Sequence, residues 1–173
     1  MHVKKTIMGI AALTALAVAG MAADTIGWNN FKPGSWVKLK STSEMTMAGR
    51  KTNMSTEMKM TLVAKTADKA TVETETTAMG TTTKSKADIP LNSTAKGAPA
   101  QNPAKMGSET ITVAGKSFKC KTAEVQSEAN GMKTTTKTWL ADEVPGGLVK
   151  SESTSTGAMT SKTTMELVDF KAQ

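Results

Sequence analysis

The chain has 173 residues, a formal net charge of +7, one Cys, no Tyr and a single His. That His is His2, inside an N-terminal leader, so the rest of the chain lacks the usual base of Ser-His-Asp and Cys-His catalysis and the commonest metal ligand at neutral pH. The positive charge is dispersed among Thr, Ser and Glu, with Arg50 the sole Arg, and three Trp and three Phe supply all the aromatic rings, so the clustered basic and aromatic pattern of a nucleic-acid binder is missing as well.

Lys4 and Lys5 precede an uncharged apolar run from Ile7 to Val18, and small residues follow at Ala19-Gly20-Met21-Ala22-Ala23. This is the pattern of a secretory signal peptide over residues 1–23, cleaved after Ala22 or Ala23. The apolar run is shorter than the roughly 20 residues of a spanning helix, so no transmembrane segment is expected after cleavage. Processing leaves one domain, 24–173, exported to the periplasm or secreted. Cys120 has no disulfide partner. Its parity with Phe118 predicts a buried strand thiol, with a reactive thiol as the alternative.

Asp24 to Phe31 is the only helix candidate, about two turns long, and it reads equally as irregular chain. Beyond it the dominant signal is β. Thr is abundant, apolar residues recur with period two, and no window sustains a period of 3.6. Strands are expected near 35–41, 43–48, 52–66, 69–79, 81–88, 108–114, 116–126, 132–141, 147–156 and 159–170. The clearest alternation runs from Met54 to Leu62, with Met54, Met58, Met60 and Leu62 on one parity. Asn130-Gly131 is the strongest hairpin turn, with Gly49-Arg50, Met79-Gly80, Ala114-Gly115 and Thr156-Gly157 as weaker ones. The stretch 90–107, rich in Pro, Gly and Ala, predicts a long flexible loop. Together these elements predict an all-β fold: a curved antiparallel meander or half-barrel of about eight to ten strands, with at most a short N-terminal helix.

No phosphate-binding Gly-rich loop or metal-ligand spacing is present. Glu73 and Glu75 share a strand face and Asp142 adjoins Glu143. They read as solvated charge pairs on strands, with a carboxylate-based hydrolase as the remaining enzymatic option. The expectation is therefore a protein that is not an enzyme and needs no cofactor or metal. The positive hint is methionine, thirteen in all. A concave sheet face lined by this flexible, polarizable side chain suits a lipid or other hydrophobic ligand. The candidate ligand-binding residues are Trp36, Met45, Met47, Met58, Met60, Leu62, Trp139 and Met165. Against this stands the reading that these residues fill an ordinary core, with Trp36 and Trp139 as its anchors. The alternative function is a structural or interaction module that meets an envelope protein partner and takes no small ligand.

Two stretches carry a resemblance. Trp28-Asn29-Asn30-Phe31-Lys32-Pro33-Gly34-Ser35-Trp36-Val37-Lys38 leads into the first strand. Later come Lys116-Ser117-Phe118-Lys119-Cys120-Lys121, then Lys137-Thr138-Trp139-Leu140, then Glu143-Val144-Pro145-Gly146-Gly147-Leu148-Val149-Lys150. In this order the chain resembles uncharacterised exported planctomycete-type bacterial envelope proteins. More distantly, it is similar to the half-barrel superfamily of periplasmic lipoprotein carriers (LolA/LppX-like). The resemblance implies a strongly curved antiparallel sheet with helical cover that holds lipid or acyl chains.

Overall fold

The computed structural model describes residues 27–91 and 104–173, except 48, 130 and 158. The predicted signal peptide and most of the predicted loop lie outside the described residues, as does Asn130. Nine strands follow in order: β1 Trp36–Met47, β2 Arg50–Lys65, β3 Lys69–Ala78, β4 Thr81–Pro90, β5 Lys105–Val113, β6 Lys116–Ala129, β7 Met132–Leu140, β8 Leu148–Thr156 and β9 Thr160–Lys171. They form one antiparallel sheet in the order β4-β3-β2-β1-β9-β8-β7-β6-β5. The sheet is curved and unclosed, with β4 and β5 at its edges. Residues 28–31 form a turn, with the Phe31 amide donating to the Trp28 carbonyl at 3.2 Å, and no helix occurs among the described residues. None of the described residues forms a helix long and apolar enough to cross a membrane.

Hairpin chemistry explains the meander. At Met79-Gly80 both residues have positive φ, 50° and 78°, and at Ala114-Gly115 the values are 51° and 74°. Two left-handed residues between antiparallel strands make the turn whose twist matches that of the strands. The turns expected to be weak therefore have the geometry assigned to the strong one. Two boundaries differ from expectation. Residues 35–48 were expected to hold two strands, yet β1 is continuous, because Thr42 pairs with Ser55 on one side and Thr164 on the other and nothing nearby favours a turn. Strand also enters both ends of the predicted loop. Pro90 ends edge strand β4, where its missing N–H costs no ladder bond. Gly107 sits in β5 where an added Cβ would lie 3.0 Å from Thr122 Oγ1.

Three register shifts bend the sheet. They leave Val63 of β2, Val149 of β8 and Val168 of β9 out of the ladder, each directly after a Leu. A bulge adds twist and bends its strand. All three lie at the same end of the sheet, and that end holds the core. Val37, Leu39, Leu62, Val72, Phe118, Leu140, Val149 and Leu167 are buried there. The curl is tight enough that Phe118 of β6 and Phe170 of β9, which lie three strands apart in the sheet, tilt against each other at 6.1 Å.

Two irregular segments plug this end. Trp28 and Phe31 are buried from the entry turn. Lys65 Nζ donates to the carbonyls of Asn29 and Phe31 at 2.6 and 2.9 Å, tying that turn to β2. The 141–147 loop closes on itself through Ala141 N to Gly147 O at 2.9 Å and Gly147 N to Val144 O at 2.7 Å. Gly146, at φ 76°, lets the loop approach the Trp28 indole, since a Cβ there would lie 3.3 Å from Trp28 Cζ2.

Candidate functional site

Register assigns each side chain to a face. On the inner face, Val37, Leu39, Ser41, Ser43 and Met45 of β1 stand beside Met60, Met58, Thr56, Met54 and Thr52 of β2. The same face continues through Met165, Thr163 and Ser161 of β9 to Ser151, Ser153 and Ser155 of β8, then Thr138, Thr136 and Thr134 of β7. Beyond the core its lining is thus methionine on one side and hydroxyl on the other. The hydroxyls pair across strands: Ser43 with Thr163 at 2.9 Å, Thr134 with Ser155 at 2.9 Å and Thr136 with Ser153 at 3.1 Å. Paired hydroxyls on neighbouring strands satisfy one another, so the half-buried lining leaves few unmet polar groups.

The outer face carries charge of alternating sign. Lys86 pairs with Glu73 at 3.2 Å, Lys38 with Glu57 at 2.7 Å, and Lys150 with both Glu152 and Glu166 at 3.0 Å. Lys84 pairs with Glu75. The lysine partners hold the carboxyls down: the hydrogen bond from Lys38 lowers the pKa of Glu57, and that from Lys84 lowers that of Glu75. The paired carboxylates Glu73 and Glu75, considered in the sequence as a catalytic option, both take lysine partners in this ladder.

The candidate ligand residues are split by this arrangement. Met45, Met58, Met60 and Met165 share the inner face. Leu62 is fully buried and belongs to the core, as does Met165 in large part. Met54, absent from the candidate set although its parity marks it, completes the row at 46% exposure. The side chain of Met47 lies outside the described residues. Trp36 and Trp139 are of opposite parity to Val37 and Thr138, which sets them apart from the methionines: Trp36 is half-buried on the outer face, whereas Trp139 is buried and belongs to the core cluster, as its reading as a core anchor expects.

Both indoles also meet polar groups. Trp139 donates its indole N–H to Glu109 Oε2 at 2.8 Å, and Lys137 and Lys150 lie 4.7 and 5.7 Å from the ring centroid. Lys137 also donates to Glu109 Oε1 at 2.6 Å, and these two donors lower the Glu109 pKa, Lys137 the more. Trp36 lines a shallow cleft of about 330 Å³ with Lys38, Glu57, Met58, Lys59, Glu75 and Thr77. Lys59 Nζ lies 4.9 Å over its ring. Cys120 is buried with its thiol pKa raised, burial being the main cause. No group of three or more His, Cys, Asp or Glu converges on a common point among the described residues.

No family model matches the chain, and no curated protein matches it. Among solved structures, it is similar to a domain from Vibrio parahaemolyticus assigned to outer membrane lipoprotein sorting, at 10% identity over 87% of this chain and 88% of that one. The TM-score is 0.27, so the two chains do not superpose closely and the site stands on its own geometry.

Proposed function

We propose that this protein is a non-catalytic exported binding protein that holds an amphipathic, lipid-like ligand against the inner face of its curved sheet. One observation carries the reading: Met45, Met54, Met58 and Met60 form a partly exposed row on two adjacent strands, on the same face as the core and leading away from it. Thioether side chains repack around varied apolar groups. The neighbouring Ser and Thr ladder offers hydroxyls to a polar head. The leader-like residues 1–23 support export, to the periplasm or beyond, and the lack of His outside that leader supports a binding role over a catalytic one.

The test is displacement of a fluorescent fatty acid from the processed protein, with native mass spectrometry of the same sample. Saturable binding is expected, weakened about tenfold or more by the double change Met54→Ser and Met58→Ser. A clean protein mass with no saturable binding would overturn the reading. A second reading, an interaction module for an envelope partner, draws on β4, an edge strand exposed along its whole length. It predicts that changes in β4 alter co-purification while the methionine changes do not.

A further inference from the structure

The cleft around Trp36 is lined mainly by polar outer-face side chains, on the side of the sheet opposite the methionine row, with Met58 of that row as its one shared lining residue. Its floor is the half-buried indole of Trp36 at the start of β1. Its walls are Lys38 and Glu57 on one side and Glu75 and Thr77 on the other, with Lys59 between them. The pairings are uneven. Glu57 is joined to Lys38 at 2.7 Å and Glu75 is joined to Lys84. Lys59 faces Glu75 across the β2–β3 pair and its charge helps to lower that carboxyl, but among the described residues it makes no direct ion-pair contact, and its ammonium rests over the indole, 4.9 Å from the ring centroid. Both carboxyls are pulled down by their lysines and are therefore acceptors, not proton donors.

A ligand matched to these groups has three properties. It presents a flat patch of C–H bonds to an indole face, it offers hydroxyls to two fixed carboxylates and a threonine, and it brings one negative charge to an ammonium that has no carboxylate in direct contact. A pyranose bearing a carboxylate has all three. We propose that the Trp36 cleft is a binding site for an acidic sugar, a uronic acid residue of a glycan. Its carboxylate draws Lys59 off the ring into a charge-assisted hydrogen bond, while the sugar face takes the place of the ammonium over Trp36. The cleft volume of about 330 Å³ admits a single ring, so recognition is of one residue at a time.

The test uses the processed protein and a matched pair of probes, methyl β-D-glucuronide and methyl β-D-glucoside, titrated while the indole N–H signals are followed by NMR. The Trp36 signal is assigned with Trp36→Phe. The expected result is a saturable shift of Trp36 with the glucuronide and at least fivefold weaker binding of the glucoside. Lys59→Gln should abolish that preference, and because Lys59 is a surface residue on a strand face, the variant is expected to fold, which its circular dichroism checks. Equal affinity for the two sugars, no Trp36 shift, or an undiminished preference in Lys59→Gln would each overturn the proposal. So would an equal Trp36 shift with inorganic phosphate, which would mark a site for anions in general. Fatty-acid binding by the inner face is measured on the same samples and is expected to be unchanged in Lys59→Gln, so the two readings fail separately.

Discussion

The two ends of the sheet are built from the same strands and differ in almost everything else. Along one face of β1, Val37 and Leu39 are 1% exposed while Met45 is 37% exposed. Along β2 the sequence runs in reverse, from Met54 at 46% to Leu62 at 0%. At the core end three bulges, two irregular segments and the Phe118–Phe170 contact wrap the chain around apolar side chains. At the other end the hairpins stop in Thr, Ser, Lys and exposed Met, and the described residues supply no plug. Backbone pairing runs to both ends and is interrupted by bulges only at the closed one, so the number of ladder bonds does not decide which end is closed. Side-chain burial and the bulges that curve the strands do.

That contrast is most easily broken by removing apolar volume. Leu62→Ala at the core end is expected to destabilise by about 2–5 kcal/mol, whereas Met54→Ala at the open end should cost less than about 1 kcal/mol. Urea unfolding of the two variants makes the comparison, and equal losses would show that the open end is as well packed as the closed one. Gly146→Ala sharpens it within the plug. A Cβ at φ 76° is strained and lies 3.3 Å from Trp28, so a loss of about 1–3 kcal/mol is expected together with a change in Trp28 fluorescence.

Acidification probes the charged outer face. The carboxyls of Glu57, Glu75, Asp88 and Glu109 have pKa values lowered by their lysine partners. A lowered folded-state pKa gives stability that is present above the unfolded value, about 4.3 for Glu, and is lost as pH falls through the lower folded value. Thermal midpoints should therefore be level near neutrality and fall below about pH 4.5, with Glu109→Gln showing a shallower fall. High salt should shrink the effect, because these pairs are exposed. The smallest expected change is a gain: Met79→Asn at the β3–β4 turn places a residue tolerant of positive φ at 50° and should stabilise by about 0.4–1 kcal/mol.

Much of the fold was legible because period two and X-Gly turns are local signals. The alternation of Met54, Met58, Met60 and Leu62 named the face before the register did, and Met79-Gly80 and Ala114-Gly115 marked hairpins that the φ values match. The split of the candidate site was also present in the sequence, as the opposite parity of Trp36 to Val37, but hydrophobicity outweighed parity in grouping the tryptophans with the methionines. The bulges had a signal that alternation hides. Leu62-Val63, Leu148-Val149 and Leu167-Val168 each break period two, and each is where the register slips. What no local pattern carries is long-range closure: the approach of Phe118 to Phe170, and Glu109 receiving the Trp139 indole from two strands away.

Native-state hydrogen exchange, read amide by amide along β1 and β2, tests most directly whether one end of this sheet is closed and the other left available. Amides of Leu39 and Leu62 should exchange only through global unfolding, and protection should decline steadily toward Met45 and Met54. Uniform protection from end to end, or faster exchange at Leu39 and Leu62 than at Met45 and Met54, would contradict the account.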